Sequence, residues 1–286
     1  MPHYENSVAV RVRALRAYLN VKIEVGRAGP SAPRAVLKPA SNDATSLYLD
    51  LLERSLLGLI ERDGESMGGR EFDLGRRLRG RDWPQSAYTM IGQKRLRSIR
   101  RCIRTVIRED VPGDLIETGV WRGGASIYAK ACLKAFGDEK RNVWVADSFT
   151  GLPEPNPEKY PADAGDEHHT YEQLAISLET VRDNFSRFDL LDERVRFLKG
   201  WFSETLPTAP IERLAVARLD GDLYESTMDA LTALYPKLSP GGFLIVDDYG
   251  GLAPCREAVE DYRSAHSVTG PVEKIDWTGV LWRKAR

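Results

Sequence analysis

Leu115-Ile116-Glu117-Thr118-Gly119-Val120-Trp121-Arg122-Gly123-Gly124 is the stretch whose reading decides the fold. An apolar run closes on the acid Glu117, a glycine follows two residues later, and a glycine pair opens an apolar helix from Ala125 to Phe136. Glycine lets the chain turn sharply out of a strand and leaves room for a ligand against the main chain. A dinucleotide fingerprint would read G-x-G-x-x-G. Here the acid comes first and the glycine pair is delayed. An ordinary strand-to-helix turn can carry the same glycines, so the surrounding chain has to decide.

Working outward, residues 114 onward alternate between short apolar runs and helical segments. The runs predict strands at 114–118, 143–147, 195–199, 214–220 and 242–248, with helices near 124–136, 171–187, 224–237 and 254–265. Strands apolar almost throughout are those of a parallel sheet buried on both faces. The pattern implies a doubly wound α/β sheet that binds ligands at the carboxyl ends of its strands. Two last strands, 272–276 and 279–283, are joined only by Trp277-Thr278, a hairpin-length link, so one of them runs antiparallel. A mostly parallel Rossmann-like sheet with one reversed strand near its end is the class I methyltransferase arrangement. In that setting the delayed glycine pair suits S-adenosylmethionine (SAM) better than a pyrophosphate.

Upstream, Ser46 to Ile60 has helical periodicity with a broad apolar face, residues 62–83 are polar and glycine-rich and read as a loop, and Thr89 to Arg108 reads as a second helix. Residues 26–41 are rich in Gly, Pro, Ala and Ser and read as a linker after a short arm. The expected organisation is an arm and linker over 1–41, a helical lid region over 42–110 and a SAM-dependent methyltransferase domain over 111–286.

The 286 residues carry a net charge of -1, with 42% hydrophobic and 29% charged residues. That balance describes a globular protein with no general attraction to nucleic acid or anionic membranes. The basic cluster Arg95 to Arg104 is expected on a solvated helix face. Cys102, Cys132 and Cys255 lie far apart, which gives neither a zinc motif nor a disulfide framework and fits a reducing, cytoplasmic setting. No apolar run approaches the length of a membrane span.

Several strands end in acids: Glu117, Asp147, Asp220, and the adjacent pair Asp247 and Asp248. All face one crevice in a doubly wound sheet. Asp147 stands where an acid accepts the ribose hydroxyls of an adenosine ligand, or where it caps a helix. Adjacent carboxylates at a buried strand end repel unless a cation or proton intervenes. Asp220, Asp247 and Asp248 therefore offer hard oxygen ligands suited to Mg²⁺, with Asp222 a substitute for one of them. His168-His169 falls in a polar loop and reads as solvated.

These residues also carry a resemblance. Asp82-Trp-Pro-Gln-Ser-Ala-Tyr-Thr-Met-Ile-Gly92, Ile116-Glu-Thr-Gly-Val-Trp-Arg-Gly-Gly124, Val145-Ala-Asp-Ser-Phe149, Leu219-Asp-Gly-Asp-Leu-Tyr-Glu-Ser-Thr227 and Val246-Asp-Asp-Tyr249 resemble the macrocin O-methyltransferase family, from about residue 45 to the C-terminus. The resemblance implies a SAM- and Mg²⁺-dependent enzyme, commonly dimeric, that methylates sugar hydroxyls of natural products. It implies that Glu117, Thr118, Gly119 and Ser126 surround the methionine part of SAM. It places Asp147 and Ser148 at the ribose, Gly200, Trp201 and Phe202 beside the adenine, and Thr89, Met90 and Ile91 in a segment that closes over SAM. Asp220, Asp247 and Asp248 match its metal set, and Asp220 is the expected general base, with Asp222 or a loop histidine open as alternatives. A cover around Trp83 to Gly92 is expected to order with ligand.

Three other readings compete. An NAD-linked oxidoreductase would show a cleaner glycine fingerprint and a Tyr-x-x-x-Lys motif, and Tyr224 has no such lysine. A non-catalytic SAM-binding protein would not need the three aspartates together. A catechol-type metal-dependent methyltransferase shares the metal logic and differs in its acceptor.

Overall fold

The computed structural model describes residues 43–286. The expected arm and linker over 1–41 lie outside the described residues. The elements are α1 (Ala44–Leu56), α2 (Leu74–Leu78), α3 (Gly92–Arg108), β1 (Asp114–Thr118), α4 (Gly124–Ala135), β2 (Val143–Asp147), α5 (Leu178–Arg187), β3 (Val195–Lys199), α6 (Phe202–Thr205), β4 (Leu214–Leu219), α7 (Tyr224–Leu234), β5 (Leu238–Val246), α8 (Ala253–Ala265), β6 (Glu273–Lys274) and β7 (Val280–Arg283).

The strands form a seven-stranded sheet in the order β3-β2-β1-β4-β5-β7-β6. β1 to β5 pair in parallel, while β7 runs antiparallel to both β5 and β6. The reversed strand expected from the short Trp277-Thr278 link is therefore β7. Strand parity sorts the sheet's two faces. Ile116, Trp144, Leu219, Leu244 and Trp282 face a cluster completed by Leu231 and Leu234 of α7 and Val259 and Tyr262 of α8. Leu115, Val143, Val216 and Ile245 face Ile99 and Ile103 of α3 and Ala125 and Ala129 of α4. On this second face Glu117 and Arg218 sit among the apolar residues.

Boundaries shift where side chains cap or interrupt. The helix expected from 171 begins at Leu178, because Ser177 caps it, its hydroxyl accepting from the Thr180 N–H at 3.1 Å. The loop expected over 62–83 contains α2, capped by Asp73 through the Arg76 N–H at 2.7 Å, and a bridge between Glu65 and Pro84. The basic face of α3 is only partly solvated. Arg100 meets Asp50 at 2.7 Å, and Arg95 is buried in the protein interior.

The N-terminal helical region is held together by a buried guanidinium. Arg77 is 1% exposed and meets Asp82 at 2.6 Å and Asp63 at 2.9 Å. It also donates to the Leu57 and Asp63 carbonyls. The other Asp63 oxygen accepts the Ser86 N–H at 2.6 Å, so the segment leading to Thr89 is tied down. Tyr88 then donates its N–H to Leu56 and accepts from Gly124, each at 3.0 Å. A Cβ on Gly124 would stand 2.4 Å from the Tyr88 carbonyl, so only glycine allows this approach. Residues 83–92, the segment the sequence reads as a cover, are tied to Asp63, Leu56 and Gly124 and form a wall beside the glycine motif.

Replacing Arg77 by methionine keeps the stem and leaves Asp63 and Asp82 without their cation. Stranding a buried partner in this way typically costs about 3–5 kcal/mol. Urea unfolding of Arg77→Met is expected to show a loss of that size, and a loss below about 1 kcal/mol would mean that these pairs hold little together.

Candidate active site

The site forms where β1, β2, β4 and β5 end side by side. After Thr118 the chain turns at Gly119, with φ +76°, and an added Cβ there would lie 1.7 Å from the Asp220 carbonyl oxygen. The close approach brings the glycine motif against the acidic motif. Three non-glycine residues in the following turns also have left-handed backbones: Trp121 after β1, Phe149 after β2 and Asp222 after β4. Such conformations cost free energy that the surrounding fold must offset, and they concentrate at functional sites.

Glu117 is buried opposite Arg218 in the β1–β4 register. One of its oxygens accepts from Arg218 Nη1 at 2.5 Å, and the other accepts from the Ser126 hydroxyl on α4. Burial pushes its carboxyl up to about 7, against the opposing pull of Arg218 and Ser126. Thr118 is fully buried beside it.

Asp147 closes β2 with its carboxylate on two backbone N–H groups, those of Val120 and Phe149, each at 2.7 Å. Burial still raises its pKa, with these bonds opposing. Ser148 donates to the Gly151 carbonyl at 2.6 Å. Gly200 donates its N–H to the Asp147 carbonyl at 3.0 Å. That bond sets Gly200 and Trp201 beside Asp147, with Trp201 38% exposed. Phe202 packs partly buried against the sheet. Across the turn, Thr89 and Ile91 are buried and Met90 half-buried. The glycine motif, Asp147, Gly200-Trp201 and the 89–91 wall thus border one end of the sheet.

The acids at the ends of β4 and β5 separate into two sets. Asp220, Asp222 and Asp248 each bring a carboxylate oxygen into one spot, all within 4.8 Å of one another. Burial and then repulsion by Asp220 push Asp222 up to about 7, and burial with repulsion from Asp220, Asp222 and Asp247 lifts Asp248 well above the usual carboxylate range. Asp248 Oδ2 is buried with no donor among the described residues. Asp247 points elsewhere. Its oxygens are bound by Arg95 and Arg218, and Arg95 continues to Asp276 at 3.1 Å. The sequence reading grouped Asp220, Asp247 and Asp248. The structure sets Asp222 where that reading had Asp247. Parity held the signal, since Asp247 continues the same face as Ile245, the face of Glu117 and Arg218.

Arg218 and Asp163 escape the sequence reading, and His168 differs from its expected setting. Arg218 meets Glu117, Asp247 and Asp220, the last at 2.9 Å. Asp163 is fully buried and accepts the N–H groups of Tyr224 at 2.6 Å and Glu225 at 3.1 Å, which caps α7 from a distant loop. His168 is half-buried, not solvated, with Nδ1 2.6 Å from Asp166. Burial alone would lower its pKa, but the Asp166 hydrogen bond and the charge of Asp222 raise it. Tyr171 lies edge-on to both His168 and Trp83, so an aromatic wall leads toward the three carboxylates.

The macrocin-O-methyltransferase family model matches residues 50–284. The chain belongs to the macrocin-O-methyltransferase family. It is an O-methyltransferase. It is 53% identical over 247 residues, 85% of this chain and 94% of the relative, to the 8-demethyl-8-(2,3-dimethoxy-alpha-L-rhamnosyl)-tetracenomycin-C 4'-O-methyltransferase of Streptomyces olivaceus. It is 50% identical to the mycinamicin III 3''-O-methyltransferase of Micromonospora griseorubida, over 84% of this chain and 96% of the relative. The solved O-methyltransferase NovP superposes with a TM-score of 0.82 at 51% identity, covering 85% of this chain and all of NovP. As a member of this family the chain carries its matched segment across the wall, the sheet and both sets of acids.

Asp222 gives this methyltransferase a pH dependence. Its carboxyl titrates at about 7 in the fold, against about 4 in an unfolded chain. The folded state holds the proton more tightly, so the stability contributed is complete below about pH 4 and is lost as pH rises through about 7. Asp222→Asn removes that loss. In metal-free buffer the melting temperature of the natural protein is expected to fall relative to Asp222→Asn between pH 5 and pH 8. Parallel curves for the two proteins would show that Asp222 does not carry the effect.

Proposed function

We propose that the chain transfers a methyl group from SAM to a sugar hydroxyl of a glycosylated natural product, assisted by one Mg²⁺ held by Asp220, Asp222 and Asp248. The observation that carries the reading is the meeting of three carboxylates against the Gly119 turn, in a chain half-identical to two O-methyltransferases whose names specify glycosides. The buried Asp248 oxygen with no donor among the described residues fits a cation. Hard oxygen donors with open positions fit Mg²⁺.

When bound, SAM supplies an electrophilic methyl on its sulfonium, and Mg²⁺ supplies a positive charge that acidifies a coordinated hydroxyl. The chain does the rest. Residues Glu117, Thr118, Gly119 and Ser126 border the methionine side, Asp147 and Ser148 the ribose, and Gly200, Trp201 and Phe202 the adenine. The exposed Trp201 ring offers a face for a purine. Thr89, Met90 and Ile91 form the wall that excludes water. Asp220 takes the hydroxyl proton. Burial raises its pKa and Asp247 adds to the rise, which makes it a stronger base than an ordinary carboxylate. Proton abstraction by a positioned group contributes about 10²–10⁴-fold.

A second base has an observation in its favour, the Asp166–His168 pair beside the Asp222 charge. Two variants separate them. Asp220→Asn is expected to lower kcat by about 10²-fold or more while His168→Ala chiefly raises the acceptor KM. The reverse result would give the proton to His168.

The reading includes a homodimer or higher homo-oligomer and a cytoplasmic setting, with the glycoside as small-molecule partner besides the cofactors and neither nucleic acid nor membrane as partner. Three buried, unbonded cysteines fit reducing surroundings. No helix among the described residues is long and apolar enough to cross a membrane.

The experiment incubates purified protein with SAM, MgCl₂ and two probe acceptors, mycinamicin III and the rhamnosylated tetracenomycin substrate of the Streptomyces olivaceus relative. Mass gain of one methyl on at least one is expected. EDTA should abolish it and Mg²⁺ restore it, and Asp248→Asn should lose turnover while keeping SAM affinity by calorimetry. Undiminished transfer after exhaustive chelation would overturn the metal, and methylation of a catechol with neither glycoside modified would overturn the sugar acceptor.

A further inference from the structure

One guanidinium reaches both halves of the site. Arg218 is the penultimate residue of β4, with its side chain 4% exposed. Its Nη1 meets Glu117 at 2.5 Å and its Nη2 meets Asp220 at 2.9 Å and also Asp247. Glu117 belongs to the glycine motif and is clamped from its other side by Ser126. Asp220 belongs to the carboxylate cluster, and its N–H bonds the Thr118 carbonyl at 2.9 Å. Asp247 is anchored in turn by Arg95, and Arg95 by Asp276. Arg218 is therefore itself held in place from the β7 side of the sheet.

The guanidinium is a planar fork whose nitrogens cannot move independently. A carboxylate on each prong is held at a spacing set by covalent geometry. We propose that Arg218 is a positioning residue for methyl transfer: it ties donor-side Glu117 to acceptor-side Asp220, which fixes the transfer distance and couples occupancy of the two subsites. The proposal rests on the functional reading above. In-line transfer is sensitive to such spacing, since misplacement by about 1 Å can cost about 10²-fold in rate. Coupling follows because any shift of Glu117 on donor binding is passed to Asp220 by the same rigid group. Lysine would keep one positive charge among these acids, but its compact ammonium has no fork to span two fixed carboxylates.

The test compares the full natural chain with Arg218→Lys. At saturating SAM, Mg²⁺ and whichever probe glycoside the natural chain methylates, kcat of Arg218→Lys is expected to fall by about 30-fold or more, with both KM values within about 3-fold. A second readout needs no turnover. Mn²⁺ is titrated by electron paramagnetic resonance with and without SAM. In the natural chain SAM is expected to change the Mn²⁺ dissociation constant by about 5-fold or more, and in Arg218→Lys by less than about 2-fold. Should Arg218→Lys lack native circular dichroism, Glu117→Gln receives the Mn²⁺ titration without SAM and at saturating SAM, with no comparison of the SAM KM because Glu117 borders the donor. This variant leaves Arg218 on Asp220 and Asp247. A variant that loses only melting temperature, or one that keeps the natural chain's coupling, overturns the positioning role. Binding of both SAM and Mn²⁺ by the natural chain without coupling also overturns it while leaving the functional reading intact. Binding of neither overturns both.

Discussion

Buried charge within the sheet is the constraint around which the other parts are arranged. Glu117, Arg218, Asp247, Arg95 and Asp276 form a continuous chain of opposite charges between the sheet and α3. Each ion loses most of its hydration on burial, at a cost of several kcal/mol, and only close partners with satisfied hydrogen bonds offset it. That requirement is strict enough to determine neighbours. α3 must lie where Arg95 reaches Asp247, and β4 must pair with β1 in the register that sets Arg218 beside Glu117. A one-residue slip would turn Arg218 to the face packed by α7 and α8, among Leu231, Leu234 and Val259. The charge chain therefore specifies register as much as it contributes stability.

The same network explains why three other carboxylates can gather at the strand ends. Arg218 draws off part of the charge of Asp220, and Asp247 is withdrawn from the cluster by two guanidiniums. What is left, Asp220, Asp222 and Asp248, is excess negative charge; burial first and repulsion between carboxylates second raise their pKa values, and one Asp248 oxygen lacks a donor among the described residues. The turns that carry these groups are strained at Trp121, Phe149 and Asp222. Hydrogen bonds from one turn to the next share the load. Asp147 joins the Val120 and Phe149 turns, and Asp163 anchors its loop to the first turn of α7.

Much of the fold was legible because burial on both faces writes itself as apolar runs. The runs at 114–118, 143–147 and 195–199 coincide with β1, β2 and β3, and the short Trp277 link announced the reversal at β7. Where boundaries moved, a side-chain cap decided, as Ser177 does for α5. The wall at 83–92 was read as a cover because its Pro and Gly content resembles a loop. Its tethers, from Asp63, Leu56 and Gly124, come from residues distant in sequence. His168 reads as solvated because its loop is polar, while the structure pairs it with Asp166 and Tyr171 of that same loop and sets it near the charge of Asp222.

By itself the sequence determined the sheet's strands, the glycine turn after β1, the acids that close the strands and the family that shares them. These depend on local pattern: period, capping and the φ preferences of glycine. Only the tertiary structure decided which acids belong together. Asp247 and Asp248 are neighbours in the chain, yet one joins two guanidiniums and the other joins Asp220 and Asp222. Successive side chains leaving a strand point to opposite sides, so adjacency in sequence places them in different surroundings. The partners that assign them, Arg95 from α3 and Arg218 from β4, lie 152 and 29 residues away from Asp247. Long-range charge pairing of that kind is settled by packing, because it depends on which helix covers which face of the sheet.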